Sequence, residues 1–143
     1  MITVNFYESA ADELLKFAVI IARADNKWVF CRHKDRNTYE CPGGHRELGE
    51  HILETAKREL YEETGATEFE INPVCVYSVV DETDFNGEET FGMLYYAEIK
   101  SFEKELHFEI EKIMLTEQLV DHWTYPLIQP LLIREAERRG FLG

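Results

Sequence analysis

The chain has 143 residues, 45% of them hydrophobic, so we expect one domain over residues 1–143 with a single core. No apolar run approaches the ~20 residues of a membrane span, and residues 1–11 lack the pattern of a secretory signal, so a cytoplasmic location without membrane contact is expected. The formal net charge of −13 argues against a nucleic-acid polymer as partner, because proteins bind such polymers mainly through Lys and Arg.

Short apolar runs predict strands in the first part of the chain, and a helical period predicts the helix that follows. In chain order these elements are strands at residues 16–23, 28–32 and 39–41 and a helix at residues 52–64. Asp25 and Asn26 are turn residues that join the first two strands as a hairpin. Gly65 stands where a helix commonly ends in the left-handed conformation.

The rest of the chain has strand patterns followed by one amphipathic helix. The predicted elements are strands at residues 69–80, 91–99 and 106–115 and a helix at residues 125–139. Pro73 favours a bend or an edge position, and Pro130 favours a kink or a later helix start. The mixture predicts an α/β or α+β fold with helices covering a mixed sheet. The apolar face of the last helix would pack on its own core or on a second subunit, which leaves a homodimer open.

The helix at residues 52–64 has two distinct stripes when its residues are placed at about 100° intervals. The apolar stripe contains Leu53, Ala56, Leu60 and Thr64, and the acidic stripe contains Glu59, Glu62 and Glu63. Like charges at this spacing destabilise a helix by ~0.2–0.5 kcal/mol per pair, and a bound cation offsets that repulsion. Mg²⁺ prefers oxygen ligands and bridges carboxylates to substrate phosphates. The alternative is a solvated acidic face partly paired with Arg58.

Residues 44–66, GHRELGEHILETAKRELYEETGA, resemble the Nudix box, G-x5-E-x7-R-E-U-x-E-E-x-G-U, in which U is a bulky apolar residue. The fixed positions are filled without insertion by Gly44, Glu50, Arg58, Glu59, Leu60, Glu62, Glu63 and Gly65. Ala66 departs from the pattern at the last position, which affects local packing rather than chemistry. A match at so many positions is not expected by chance.

The resemblance implies a Nudix-type α/β/α sandwich with a mixed β-sheet and a loop-helix-loop catalytic motif. It implies a hydrolase that cleaves a nucleoside diphosphate linked to another moiety, X, with Mg²⁺ as the cofactor and Mn²⁺ as the alternative. The implied metal ligands are the carbonyl of Gly44 and the carboxylates of Glu59, Glu62 and Glu63. Glu59 is alternatively the general base. Glu50 is expected to pair with Arg58 and hold the catalytic loop in shape.

Members of the family often recruit one more carboxylate from outside the box, as a base or a metal ligand. Residues 107–115 resemble the acidic segment that supplies it, with Glu109 as the first candidate and Glu111 as the second. The general base is therefore left open between Glu59, Glu109 and Glu111. A solvent-facing glutamate on a half-buried strand is the alternative interpretation of residues 109 and 111.

The densest basic cluster precedes Pro42 and is a candidate to contact substrate phosphates. It consists of Arg32, His33, Lys34 and Arg36. A solvated loop in a very acidic protein is the alternative. Four aromatic residues are candidates to stack on a base, although aromatic residues in strands more often pack in a core: Tyr39, Tyr77, Phe85 and Phe91. The histidines have no HxxxH or HxH spacing, which disfavours a metal site built from them.

Residues 28–44 together with the box resemble the MutT-like branch, in particular bacterial 8-oxo-dGTP and NTP diphosphatases. The expected partner is thus a small nucleotide, a (d)NTP or 8-oxo-dGTP, cut to the monophosphate and pyrophosphate. ADP-ribose, sugar nucleotides and dinucleoside polyphosphates are alternatives, while RNA 5′ ends are disfavoured by the net charge. A non-catalytic nucleotide-binding or regulatory module is the alternative of another class. Such modules usually lose a glutamate, and here the REUxEE core is complete.

Overall fold

A computed structural model describes residues 2–81, 88–103 and 110–141. Within these ranges the strands are β1 (Ile2–Tyr7), β2 (Leu15–Ala24), β3 (Lys27–His33), β4 (Gly43–His45), β5 (Ala66–Asp81), β6 (Glu89–Phe102) and β7 (Ile110–Thr116). The helices are α1 (Ile52–Thr64), α2 (Gln129–Arg138) and a short 3-10 turn (Asp12–Leu14). Among the described helices, none has the length and apolar character needed to cross a membrane.

The strands form one mixed sheet in the order β1-β5-β6-β2-β3-β7, with β4 paired to β2. The central pair, β2 and β6, is parallel, and the other pairs are antiparallel. The β2–β3 hairpin turns at Asp25 and Asn26, which have φ values of 51° and 63°. Both residue types tolerate this left-handed conformation. The predicted mixed sheet and its hairpin are confirmed.

One helix covers each face of the sheet. Ile20 in β2 packs in the cluster that contains Leu60 of α1, and the next residue, Ile21, packs in the cluster that contains Leu132 of α2. Successive side chains of a strand point to opposite faces, so these two clusters are separated by the sheet. This arrangement is the α/β/α sandwich that the sequence predicts.

An irregularity in β5 exchanges the faces to which its side chains point. Ile71 packs on the α1 side, whereas Tyr77, which is six residues later and would share its face in a regular strand, packs on the α2 side. The register with β6 shifts between Pro73 and Cys75. One inserted residue reverses the alternation that follows it. The bend predicted at Pro73 is therefore a bulge, and it aims Tyr77 towards α2.

Several element bounds differ from the prediction. The second helix begins at Gln129 rather than residue 125, because Pro130 fits only the first turn. Gly43 and Gly44 lie in a short strand, β4, which pairs with β2 and was not predicted. The short strand predicted at residues 39–41 is reduced to isolated bridges. The edge strand β1 was not predicted. The structure describes β7 from Ile110, and residues 106–109 of the predicted strand lie outside the described ranges.

The buried face of α1 is rotated slightly from the predicted stripe. Ala56, Leu60 and Thr64 are fully buried, but Leu53 is 39% exposed. Ile52 packs against the core in its place, because positions 52, 56, 60 and 64 follow each other at the i+4 spacing that keeps one face.

The rotation predicts unequal costs for two leucine truncations on the same helix. Leu60→Ala removes a side chain that is 0% exposed, so we expect the free energy of unfolding to fall by about 2–5 kcal/mol. Leu53→Ala is the matched control and should cost less than about 1 kcal/mol. Urea unfolding followed by circular dichroism measures both values. Equal losses would show that Leu53 belongs to the core.

Candidate active site

One side of the site is formed where β4 lies close to α1. A Cβ atom added at Gly44 would enter the space occupied by the carboxylate of Glu59. A Cβ at Gly43 would meet the backbone oxygen of Ala18 in β2. Two glycines are therefore required for β4 to fit between its partner strand and the glutamates of α1.

Arg58 is the centre of an ion-pair network that joins α1 to the preceding loop. Its guanidinium donates two hydrogen bonds to Glu50, from Nε to Oε2 at 2.6 Å and from Nη2 to Oε1 at 3.1 Å. Nη1 donates to Glu59 Oε1 at 2.5 Å and to Glu62 Oε2 at 3.1 Å. Nη2 also donates to the carbonyl oxygen of His45 at 3.0 Å. The fixed fork of an arginine is needed to reach several acceptors at once.

Glu50 shapes the loop from the other side of that contact. Its Oε1 accepts bonds from the Thr55 hydroxyl at 2.8 Å and from the Glu47 backbone N–H at 2.9 Å. Hydrogen bonding by Arg58 lowers the pKa of Glu50 to about 2. The pairing of Glu50 with Arg58 that the sequence predicts is present in the structure.

The pKa of Glu59 is shifted in the opposite direction to that of Glu50. Its side chain is only 13% exposed, and burial, followed by the neighbouring charge of Glu63, raises the pKa of Glu59 to about 7. The hydrogen bond from Arg58 partly opposes that rise. Negative charge is thus concentrated around Glu59 beyond what the arginine compensates.

Glu63 is buried and has partners from two strands. Its Oε1 accepts the Gly43 N–H at 2.6 Å, and its Oε2 lies 2.9 Å from Nε2 of His33. This contact with Glu63 is the main cause of a raised pKa of His33. Glu40 Oε2 lies 3.6 Å from the same nitrogen. One ligand atom each from His33, Glu40 and Glu63 falls within 4.8 Å of the others, a grouping that no linear histidine spacing indicates.

The residues around Glu59 carry oxygen atoms of the kind that divalent cations bind. Glu59, Glu62 and Glu63 offer carboxylates from α1, and the Gly44 backbone lies against the Glu59 carboxylate. Hard cations bind carboxylate and carbonyl oxygens. Burial, followed by the charge of Glu63, raises the pKa of Glu59, and a cation bound beside it would favour the charged carboxylate.

A cavity of about 570 Å³ opens beside these carboxylates. The predicted site residues that border it are His33, Arg36, Gly44, Glu59, Glu63 and Tyr77. Its walls also include Lys16, His45 and Gln129, for which no role was predicted. Strand alternation separates His33 from Arg32, since successive residues of β3 point to opposite faces. The other three are brought in by long-range packing.

The remaining predicted residues lie elsewhere. Glu50, Arg58 and Glu62 are absent from the cavity lining and are linked to it through the network of Arg58. Arg32 donates to the Arg36 carbonyl at 3.2 Å, and neither Arg32 nor Lys34 is part of the described lining. Tyr39 and Phe91 are also outside the lining. Residues 85 and 109 fall outside the described ranges, and of residue 111 only the backbone, in β7, is described.

Comparisons with known proteins agree with this arrangement. Residues 14–135 match the family model of the NUDIX domain. YtkD of Bacillus subtilis (strain 168), provisionally named an 8-oxo-dGTP diphosphatase, is 30% identical over 122 residues, which cover 85% of this chain and 74% of YtkD. Among solved structures, the B. subtilis pyrophosphohydrolase BsRppH superposes with a TM-score of 0.80 at 24% identity, over 99% of this chain and 93% of that one. A NUDIX hydrolase from Nitrosomonas europaea superposes with a TM-score of 0.68 at 20% identity, over 87% and 89%.

The sheet with its two helices, one of which carries the carboxylates, and the matches to known proteins thus define a hydrolase of phosphoric anhydride bonds. The chain belongs to the Nudix family. Members of this family generally use divalent metal ions and bind small nucleotide substrates.

The Glu50–Arg58 pair predicts a pH-dependent contribution to stability. Glu50→Gln should lower the free energy of unfolding by about 1.5–3 kcal/mol at neutral pH. The substitution removes the charge from a carboxylate that is 16% exposed and accepts two hydrogen bonds from Arg58. Glu47→Gln is the matched control: Glu47 Oε1 also lies 3.0 Å from Arg58 Nε, but its side chain is 64% exposed. We expect this control to cost less than about 1 kcal/mol.

The sign of the pH effect follows from the lowered pKa of Glu50. The folded chain holds this pKa at about 2, below the ordinary value of 4.5, so the stabilisation is present above pH 4.5 and is lost as the pH falls towards 2. Urea unfolding of wild type and both variants, at several pH values across that window, measures the difference. A gap between wild type and Glu50→Gln that stays constant in acid would contradict the assignment.

Proposed function

We propose that the chain is a Mg²⁺-dependent pyrophosphohydrolase that cleaves a nucleoside triphosphate, including 8-oxo-dGTP, to the monophosphate and pyrophosphate. The observation that carries the proposal is the buried carboxylate cluster of α1 opening into a cavity of about 570 Å³. The similarity to YtkD supports the choice of substrate, since its provisional name states that activity. Mn²⁺ is the alternative metal.

The residues of α1 have separate roles in this proposal. Glu62 and Glu63 are metal ligands, joined by Glu59 and the carbonyl oxygen of Gly44. Arg58 and Glu50 are positioning residues, because their bonds fix the loop and the direction of the Glu59 carboxylate. When bound, the metal neutralises the diphosphate and lowers the pKa of an attacking water.

Proton transfer from that water needs a base. Glu59 is the candidate that borders the cavity. Glu109 and Glu111 remain the other candidates from the sequence. A base that also ligated the metal would combine both roles of Glu59.

Arg36 is the proposed phosphate contact from the basic cluster. It borders the cavity with its side chain 45% exposed, and its Nη1 lies 3.1 Å from Glu40 Oε1. A guanidinium held by one carboxylate retains donors for a phosphate. Arg32 and Lys34 lie outside the lining. In this proposal they attract the anionic substrate weakly and at long range.

Removal of either predicted metal ligand should abolish most turnover without unfolding the chain. We expect Glu62→Gln and Glu63→Gln to lower kcat by about two orders of magnitude or more, because each removes a charged oxygen ligand. Glu54→Gln is the control on the same helix, since glutamine also satisfies its capping contact with the His51 N–H. Steady-state rates at saturating Mg²⁺ measure the effect. Rates near wild type in either ligand variant would exclude the assignment.

A release assay across nucleotide classes tests the substrate. With Mg²⁺ we expect pyrophosphate from GTP, dGTP and 8-oxo-dGTP at higher kcat/KM than phosphate or nucleotide release from ADP-ribose, a sugar nucleotide or a dinucleoside polyphosphate. Glu63→Gln provides the background rate. A preference for one of the other classes would redirect the substrate assignment. No turnover of any compound would favour a non-catalytic nucleotide-binding module.

A further inference from the structure

Arg46 joins the loop between β4 and α1, residues 46–51, to the chain segment that precedes β2. Its side chain is 17% exposed. Nε donates to the carbonyl oxygen of Glu50 at 2.7 Å, and Nη1 donates to the carbonyl oxygens of Asp12 at 2.8 Å and Leu15 at 3.3 Å. Nη2 donates to Asp12 Oδ2 at 2.8 Å. One guanidinium therefore binds three main-chain oxygens and one carboxylate.

The backbone of Arg46 adds to the same connection. Its N–H donates to the carbonyl oxygen of Lys16 at 2.8 Å, and the preceding residue, His45, pairs with Phe17 in the ladder between β4 and β2. Lys16 and Phe17 both border the cavity beside α1. Arg46 thus holds the β4–α1 loop against the strand that supplies part of the cavity wall.

The β4–α1 loop has little packing of its own. None of the side chains of residues 46–51 is buried, and Leu48, the large apolar residue among them, is fully exposed. Gly49 has a φ of 82°, which glycine adopts without strain. A segment without buried apolar contacts opens locally at a low free energy. The position of the loop therefore depends on polar contacts, and those of Arg46 reach residues 12–16.

Glu50, at the end of this loop, is held by two arginines. Arg46 binds its carbonyl oxygen, and Arg58 binds its carboxylate. Arg58 also donates to Glu59 and Glu62 on α1. A displacement of the Glu50 backbone would therefore move the Arg58 guanidinium and the carboxylates that it contacts. Because Arg46 is not part of the described cavity lining, its effect on a reaction there must pass through these residues.

We propose that Arg46 is a positioning residue for hydrolysis: it fixes the β4–α1 loop so that Glu50 and Arg58 orient the metal-binding carboxylates of α1. The proposal rests on the proposed function in one respect, that these carboxylates bind the metal. Bonds to three main-chain oxygens in different directions require the fork of a guanidinium. The ion pair with Asp12 contributes little, because the Asp12 side chain is 67% exposed.

Arg46→Ala tests the role by the way in which the kinetic parameters change. We expect kcat for pyrophosphate release to fall by about 10- to 100-fold, since small displacements of a reacting site have effects of this size. The nucleotide KM should change by less than about twofold, because Arg46 does not contact the cavity. A residue that only stabilised the fold would lower the folded fraction, measured by circular dichroism, and leave kcat per folded molecule unchanged.

Three further variants separate the fork from the charge. Arg46→Lys keeps the charge but has one compact donor group, so kcat should still fall by about fivefold or more. Asp12→Ala removes the ion pair and leaves the main-chain oxygens, so kcat should fall by no more than about twofold. Arg134→Ala is the control at an exposed arginine of α2 and should keep the wild-type rate.

Mn²⁺ binding without nucleotide gives a measurement that does not depend on turnover. Free Mn²⁺ is counted by electron paramagnetic resonance, and we expect Arg46→Ala to weaken the affinity by about fivefold, because the carboxylates of α1 lose their fixed positions. Hydrogen exchange followed by mass spectrometry should show faster exchange in residues 46–51 and unchanged exchange in β5 and β6.

Each outcome decides the question. Unchanged kcat and Mn²⁺ affinity in Arg46→Ala, an equal loss in Asp12→Ala, or full activity in Arg46→Lys would overturn the assignment. If Arg46→Ala did not fold, Arg46→Lys would decide it by the same measurements. If the wild type released no pyrophosphate from any nucleotide, while Arg46→Ala still weakened Mn²⁺ binding, the proposed reaction would be overturned and the positioning of the carboxylates by Arg46 supported.

Discussion

The bond between Arg58 and Glu50 is the interaction on which the geometry of the site depends. It connects the loop before α1 to the second turn of the helix, and the same guanidinium reaches Glu59, Glu62 and the carbonyl of His45. Carboxylates at i and i+3 on a helix repel each other, so a cation among them is needed for the face to form. A lysine would supply the charge but not the fork that contacts several acceptors. Arg58 therefore both offsets the negative charge of the glutamates and fixes their positions.

The second constraint is steric and comes from the sheet. Gly43 and Gly44 allow β4 to lie between β2 and α1, where the Gly43 N–H reaches Glu63 and the Gly44 backbone lies against Glu59. The glutamates are thus held from two directions, by Arg58 along the helix and by the β4 backbone across it. Such support on both sides is what keeps a charged cluster ordered before a ligand arrives.

Most of the correct predictions from the sequence depend on the spacing of residues that are close together in the chain. The bounds of α1, the acidic stripe and the Glu50–Arg58 pair depend on residues within nine positions of each other, so helical geometry and motif spacing reach them. Leu53 was assigned wrongly because residues three and four positions before Ala56 both lie near the same helix face, and only packing against the sheet selects Ile52 over Leu53. The contact of His33 with Glu63 and the position of Gln129 depend on β3 and α2 meeting the site from distant parts of the chain, which periodicity does not reveal.

The cavity also changes what the net charge means for an anionic substrate. The whole chain has 15 Lys and Arg against 28 Asp and Glu, yet the cavity wall holds Lys16, Arg36, His33 and His45 beside Glu40, Glu59 and Glu63. Exposed charges farther away than about 10 Å are largely screened at ordinary salt, so the local set governs binding more than the total of −13 does. Near balance at the wall also means that carboxylates neutralised by a cation would leave the wall positive. An acidic protein can therefore present a site that attracts phosphates only when its metal is in place.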